Sequence, residues 1–213
     1  DAASKAKRAT AAQSYADGEA KFNAGDYTAA SALFTAAAGY EDAAERVRQS
    51  QLGVHYKAAE TAFANGDYPS AISEFEQAEN FQDAAEQVLA STYALADENE
   101  KKEEYAKAIE EFDSIGDYSD AKERIFAIGL ARLNANDFSL AEKAFETGGS
   151  SQSEDYYYYT QGKELFSRKK YSDAKEQFKK CAVEDAADLC TACDYLTAEE
   201  HYQNGELNTA KKL

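Results

Sequence analysis

The sequence predicts an all-α protein in which helical hairpins stack into a solenoid. Three observations lead to this class. A pattern of the form aromatic-x-x-Ala-x-x-x-Phe occurs five times in the 213 residues. The copies are spaced by 33 to 41 residues, which is typical of arrays of stacked helical units. Proline occurs once, and Ala, Glu, Lys and Gln, which favour helix, fill many of the positions between the aromatic residues.

The repeated pattern defines the second helix of each hairpin. Its Ala and Phe are four residues apart, so they lie on one helix face and are expected to be buried together. Gly25-Asp26 and Gly66-Asp67 precede two of the copies. Gly suits the end of the first helix, and Asp can accept hydrogen bonds from the free N–H groups of the second. The predicted core residues are Tyr27, Ala30 and Phe34; Tyr68, Ala71 and Phe75; Tyr105, Ala108 and Phe112; Phe138, Ala141 and Phe145; and Tyr171, Ala174 and Phe178.

The first helix of each hairpin carries an aromatic residue fifteen positions before the repeat Ala. A small residue follows three positions later, as in Tyr15 with Gly18 and Tyr159 with Gly162. The small residue is expected to let a neighbouring helix approach closely. Four positions further on, the residue is apolar or aromatic in every unit except the third, which has Glu100. Glu100 and the charged residues after it are interpreted as a solvated, locally shifted helix end, with a charged contact to a partner as the alternative.

A second motif marks where each new hairpin begins. It reads Tyr-Glu-Asp-Ala-Ala-Glu at residues 40–45 and recurs in similar form at 81–86 and 118–123. Asp followed three residues later by Glu is similar to a capping box, with Asp in place of Ser or Thr. The predicted repeats are about 5–40, 41–81, 82–118, 119–152 and 153–183, with a partial sixth at 184–213, all in a single domain spanning 1–213. The sixth copy opens at Leu207 and Ala210 without its Phe, so the natural protein is expected to continue.

These units resemble tetratricopeptide repeats, in which a Gly in the first helix is followed by Ala-x-x-x-Phe in the second. The matching sets are Gly18 with Ala30 and Phe34, and Gly162 with Ala174 and Phe178. The resemblance covers nearly the whole chain, although the family's Trp is absent and the junction Asp replaces its terminal Pro. The motifs are similar to the divergent form common in bacterial multi-repeat proteins. The resemblance implies a right-handed superhelix that binds a partner protein or peptide in a groove lined by first helices.

Composition narrows the possible functions. The formal net charge of −17 disfavours nucleic-acid partners, because phosphate backbones repel an acidic surface. No segment approaches about 20 apolar residues, so no membrane span is predicted. Cys181, Cys190 and Cys193 fall where earlier units carry small or apolar residues, which predicts packing rather than a metal or redox site. Unpaired thiols favour a reducing compartment such as the cytoplasm. Export or membrane anchoring within a longer chain stays open.

The sequence contains no Ser/His/Asp order, phosphate-binding Gly loop or metal-binding His pair, so neither catalysis nor a cofactor is expected. The four candidate partner-binding residues are His55, Tyr157, Tyr158 and His201. The two tyrosines belong to a run at 156–159, of which Tyr159 is assigned to the core. Consecutive helical residues are 100° apart, so one or two of the other three are expected to be exposed or to face a groove. Anchoring a partner and packing on the adjacent unit remain equal alternatives for them.

The sequence therefore favours a non-catalytic scaffold that binds a partner protein or peptide. The alternative is a structural subunit, such as a surface or filament protein, that self-assembles through the open ends of its solenoid. A regulatory segment of a longer enzyme is a third interpretation.

Overall fold

The computed structural model describes residues 2–210, which form twelve α-helices and no β-strand. The prediction of an all-α fold is confirmed. The helices are α1 (Ala2–Asn23), α2 (Tyr27–Ala36), α3 (Ala43–Ala64), α4 (Tyr68–Gln77), α5 (Ala84–Lys101), α6 (Tyr105–Ser114), α7 (Ala121–Asn134), α8 (Phe138–Gly148), α9 (Ser151–Ser167), α10 (Tyr171–Phe178), α11 (Ala186–Gln203) and α12 (Leu207–Ala210).

The helices belong to two compact units, Asp1–Leu95 and Ala96–Leu213, and the division falls within α5. Inside each unit, helices pack on their neighbours in chain order, from α1 to α4 in the first unit and from α6 to α12 in the second. This order of packing is the one expected of a helical repeat. A single domain over 1–213, the repeat boundaries within it and a right-handed superhelix remain predictions.

The hairpin turns within the described residues share one backbone geometry. In the first turn, Gly25 has a φ of +76°, and its N–H donates to the carbonyl of Phe22 at 3.0 Å. The N–H of Asp26 donates to the carbonyl of Lys21, also at 3.0 Å. These two bonds satisfy carbonyls at the end of the first helix in the manner of a Schellman motif. The residues in the equivalent left-handed position are Gly66, Glu103, Asn136, Lys169 and Gly205.

The Asp that follows this turn caps the second helix, as the sequence predicts. The Asp26 carboxylate accepts a hydrogen bond from the backbone N–H of Ala29 at 3.2 Å. Asp67 and Asp137 accept in the same way from the residue three positions later, at 3.2 and 3.3 Å. The cap therefore recurs in three hairpins and satisfies one free N–H group in each.

Glu100, the charged residue at an otherwise apolar or aromatic position, is paired inside its own unit. Its carboxylate accepts from Arg124 Nη2 at 2.6 Å and from Nε at 3.2 Å. Arg124 also donates to Asp97 at 2.9 Å, and its guanidinium lies 5.1 Å from the centre of the Phe112 ring. The preceding helix ends in the usual turn at Glu103. The interpretation as a solvated helix end holds for the exposed residues 101–104. It is wrong for Glu100, whose carboxylate is held by an internal arginine, and the helix end is not shifted.

The repeat Ala and Phe lie at the centre of each hairpin. All five Ala are 0% exposed, and all five Phe are at most 2% exposed. The aromatic residue that opens the pattern is less uniform. Tyr27 is buried beneath Phe81, whose ring centre lies 5.4 Å away, whereas the equivalent residues in the other four units are half-buried. In these four units the aromatic residue lies at the turn between the two helices and borders the core. The ring centre of Tyr171, for example, lies 5.3 Å from that of Phe166.

The small residue of the first helix contacts the ring of the repeat Phe. A Cβ atom added to Gly162 would lie 2.4 Å from Cε1 of Phe178, and one added to Gly129 would lie 2.6 Å from Cε1 of Phe145. Cβ atoms do not approach other carbon atoms this closely in folded proteins. The close approach expected from the sequence is therefore that of a phenyl ring to the helix backbone.

The Asp of the junction motif has a different role from the predicted one. Asp42 precedes α3, yet its side chain makes no capping hydrogen bond to that helix within the described residues. Its carboxylate instead accepts from the hydroxyl of Tyr15 in the preceding first helix. Bonds of this type include Tyr15 to Asp42, Tyr56 to Asp83, and Tyr159 to Asp185 at 2.8 Å. The capping-box interpretation is therefore wrong for Asp42, because its carboxylate fastens one hairpin to the next.

Tyr56→Phe is expected to lower the free energy of unfolding by about 1–2 kcal/mol at pH 7, because it removes a hydrogen bond to a carboxylate. The Tyr56 hydroxyl lowers the pKa of Asp83 below its usual value. The bond therefore stabilises the fold above the unfolded-state pKa of about 3.9, and this contribution is lost as the pH falls through the folded-state pKa. Urea unfolding at pH 7 and in acid should show the difference shrinking.

Tyr68→Phe is the matched control for this prediction. It removes the hydroxyl of Tyr68, whose ring is half-buried in the first unit, as Tyr56→Phe removes that of Tyr56. The Tyr68 hydroxyl makes no hydrogen bond within residues 2–210. The control should change stability by less than about 0.5 kcal/mol. If Tyr56→Phe lowers the free energy of unfolding by the same amount at pH 7 and in acid, the proposed contribution of Asp83 is contradicted.

Candidate functional site

Three successive first helices of the second unit, α7, α9 and α11, border a groove with a cavity of about 630 Å³. We call this surface the acidic groove. It is lined by Leu130, Leu133, Asn134, Asn136, Tyr156, Tyr159, Lys163, Val183, Glu184, Asp185 and Asp188. A cavity of this size lies within the range that holds side chains or small ligands. Its position on first helices agrees with the location that the tetratricopeptide resemblance implies.

Two tyrosine rings form the floor of the acidic groove. Tyr156 packs against Phe126 and Phe145, with both ring centres 5.4 Å away, and against Tyr159 at 6.1 Å. Tyr159 is 7% exposed, and its hydroxyl donates to Asp185. Burial and then the Asp185 carboxylate raise the pKa of Tyr159, so the hydroxyl keeps its proton. Both rings are held by their neighbours and would lose little freedom on binding a partner.

Negative charge predominates in the acidic groove. Glu184 and Asp188 make no ion pair or side-chain hydrogen bond with any described residue. Asp185 is bonded to a neutral hydroxyl, and the cation of the lining, Lys163, lies 5.9 Å from the centre of the Tyr159 ring. The N-terminus of α11 stabilises these carboxylates. Three carboxylates beside one ammonium leave a surplus of negative charge next to aromatic rings, an environment that favours a cation.

The structure separates the predicted tyrosine candidates from this groove. Tyr157 lines a different cavity, of about 460 Å³, with Phe145 and Glu146, and burial is the main cause of its raised pKa. The ring of Tyr158 lies 5.5 Å from that of Tyr157 and 5.0 Å from Nζ of Lys180. Both side chains are half-buried against neighbouring helices. Neither therefore lines the acidic groove.

The residue of this run that sequence reasoning missed as a candidate is Tyr156. Together with Tyr159 it lines the groove, and the two are three positions apart in α9. Residues at this spacing share a helix face. The sequence contains the information needed to find Tyr156, because the helix face that carries Tyr159 must also carry Tyr156.

The two histidine candidates are engaged within their own hairpins. Nδ1 of His55 lies 2.8 Å from a carboxylate oxygen of Glu74, and Nδ1 of His201 lies 2.6 Å from one of Glu206. Neither histidine lines the acidic groove. Of the four candidates, Tyr157 and Tyr158 contact each other, whereas each histidine contacts a glutamate instead.

Residues 2–210 contain no group of three or more His, Cys, Asp and Glu side chains placed to hold a metal ion. Cys193 is 1% exposed, and Cys181 and Cys190 are half-buried beside the same apolar cluster. No helix in this part of the chain has both the length and the apolar character needed to cross a bilayer.

No protein-family model matches the sequence, and no curated protein shows significant similarity to it. Membership of the tetratricopeptide family therefore remains a prediction that rests on the repeated residues. The class of protein that the fold itself defines is an all-α array of helical hairpins.

Proposed function

We propose that this protein is a non-catalytic scaffold that binds a partner protein or peptide in the acidic groove. The observation that carries the proposal is a groove bordered by three first helices, with a rigid tyrosine floor and carboxylates that lack counter-charges. Repeat folds of stacked hairpins commonly use such extended surfaces for binding. The lining side chains are carboxylates, amides, tyrosines, aliphatic groups and one ammonium, which suit recognition rather than nucleophilic attack.

The partner that fits this groove is a segment carrying Arg or Lys. A guanidinium stacked on the Tyr156 ring would gain from the negative face of the aromatic system. The same group could pair with Glu184 or Asp188, which have no internal partner within the described residues. Arg matches both interactions because its planar cation stacks and also forms paired hydrogen bonds with carboxylates. The net charge of −17 attracts basic segments and disfavours nucleic acids.

Binding of a fluorescent, Arg- and Lys-containing peptide of about 12 residues tests the proposal by anisotropy. Glu184→Gln combined with Asp188→Asn should weaken binding by about 3- to 10-fold, since partly exposed charge pairs contribute about 0.5–1 kcal/mol each. The peptide's affinity should also fall with added salt, because the pairs are screened.

A second double variant controls for net charge. Asp113→Asn with Glu123→Gln removes the same two charges from exposed positions outside the groove. Its affinity should stay within about 2-fold of the original protein. Equal weakening by both double variants would show that binding follows overall charge and would refute a role for the groove. No binding of basic peptides at low salt would overturn the proposal for this partner class.

Exposed apolar side chains of the last hairpin favour self-assembly as a second candidate function. Tyr195, Tyr202 and Leu207 are 68%, 66% and 50% exposed and line a cavity of about 550 Å³ with Glu199. The sequence pattern places Tyr195 on a core face, yet its side chain is exposed beside α12. Large exposed apolar groups of this kind mark interaction sites.

For self-assembly, the first hairpin of a second copy would cover the exposed side chains of the last hairpin. The first hairpin has a cavity of about 620 Å³ whose lining includes Lys7, Arg8 and Tyr40, and the two cations are opposite in charge to Glu199. Heterologous contacts of this kind build open chains of subunits. Mass in solution should then rise with protein concentration, and Leu207→Glu should abolish the rise. A monomer at all concentrations would exclude this function.

A further inference from the structure

One cysteine, Cys181, lies in the segment that joins α10 and α11, and a second, Cys190, lies in the first half of α11. Sγ of Cys181 donates to the carbonyl oxygen of Phe178 at 3.2 Å. Sγ of Cys190, in α11, donates to the carbonyl oxygen of Lys175 at 3.8 Å. These two carbonyls are three residues apart in α10, which corresponds to a rise of about 4.5 Å. Both sulfur atoms therefore lie against the last turn of the same helix.

The same two cysteines line one surface cavity of about 480 Å³. Both are half-buried, so a small oxidant can reach them. Cys193, by contrast, is 1% exposed and does not line this cavity. The structure thus distinguishes an accessible pair of thiols from a third that is sealed in the core.

We propose that Cys181 and Cys190 form a reversible intramolecular disulfide that closes the segment between α10 and α11. Cys181 lies outside both helices, so the backbone around it can adjust to the Cβ–Cβ separation of about 3.5–4.5 Å that a disulfide needs. Cys190 and Cys193 both lie within α11, where the helix limits such adjustment. The available partner for Cys190 is therefore Cys181.

The oxidant is a small-molecule disulfide such as oxidised glutathione. The Cys190 thiolate attacks one of its sulfur atoms, which forms a mixed disulfide and releases one glutathione thiolate. The Cys181 thiolate then attacks Cys190 Sγ in the mixed disulfide and releases the second glutathione thiolate. The protein loses two protons and two electrons, that is two hydrogen atoms in all, and these appear in two molecules of reduced glutathione.

The new bond would act on one wall of the acidic groove. Val183 and Glu184 line both this cavity and the acidic groove. A bond between Cys181 and Cys190 restricts the segment that carries them. Control of peptide binding by oxidation rests on the proposed function, whereas formation of the disulfide itself does not.

Oxidation of the reduced protein by glutathione disulfide tests the proposal without any binding partner. The reaction is run at about pH 8.5, since burial raises the pKa of the Cys181 thiol and the thiolate is the reactive form. Intact mass should fall by two hydrogen atoms, and the number of free thiols should fall from three to one. Dithiothreitol should restore all three. Unchanged thiols, or stable glutathione adducts on the original protein, would overturn the proposal.

Single Ser variants assign the pair. Cys193→Ser should still lose two hydrogen atoms, because both proposed partners remain. Cys181→Ser and Cys190→Ser should not close a disulfide and should instead retain one glutathione, since the resolving thiol is missing. Loss of two hydrogen atoms from Cys181→Ser would place the bond between Cys190 and Cys193 and refute the inference.

Discussion

Phe75→Ala is expected to lower the free energy of unfolding by about 3–5 kcal/mol, the range for removing a large aromatic side chain from a core. Phe75 is 2% exposed, and its ring centre lies 5.4 Å from that of Tyr56. It belongs to a cluster that also contains Tyr27 and Phe81. Deleting the ring removes these contacts and leaves a cavity. The surrounding helices cannot close it, because each is joined to its neighbours by a turn at both ends. Urea unfolding followed by circular dichroism measures the loss.

Phe63→Ala is the matched control for this result. It makes the same chemical change in the same unit, but Phe63 is 37% exposed and contacts Tyr68 at the turn with ring centres 5.5 Å apart. Its cost should be about 1 kcal/mol. Equal costs for Phe75→Ala and Phe63→Ala would mean that the repeat Phe is not the centre of the hairpin, and the register of all units would have to be revised.

Gly162→Leu is expected to cost about 2–3 kcal/mol, because it forces a side chain into space already filled by a ring. The added Cβ would meet Phe178 at 2.4 Å, and Phe178 is itself 1% exposed and cannot move into solvent. Leu has a better helix propensity than Gly by nearly 1 kcal/mol, which reduces the net loss but does not cancel it. The thermal midpoint and the urea midpoint should both fall.

Gln152→Leu tests the same helix without the clash. Gln152 is exposed near the start of α9, so a leucine there adds apolar surface but displaces nothing. Its effect should stay within about 0.5 kcal/mol. A Gly162→Leu protein as stable as the original would show that the ring can leave the helix face, and the close approach would then have no structural importance.

Much of each hairpin could be predicted because its determinants are local. The positions of Ala71 and Phe75 follow from helical periodicity alone, since four residues make roughly one turn. The turn at Gly66 and the cap at Asp67 depend on residues within a few positions of each other. Glu103 adopts the same turn with the same backbone hydrogen bonds, so a glycine is not required at this position.

The errors fall where residues distant in sequence meet. The partner of Glu100 is Arg124, which lies 24 residues further along the chain, beyond the reach of rules based on local sequence. The sequence predicts that the junction Asp caps the nearest helix, whereas Asp42 accepts from Tyr15, which lies 27 residues away in the chain. Rules based on local sequence predict a hydrogen bond to the nearest backbone N–H group. A carboxylate with two possible donors bonds to the one that tertiary packing brings closer.

Periodicity, turn residues and helix propensity in this chain specify an all-α protein and the Ala and Phe at the centre of each hairpin, because these features act over one or two helical turns. Tertiary packing decided that Tyr156 rather than Tyr157 faces the acidic groove, and that Glu184 and Asp188 meet the tyrosine floor there. That outcome depends on the rotation and spacing of α7, α9 and α11 about one another. Such angles arise from the sum of many side-chain contacts and cannot be read from any single repeat.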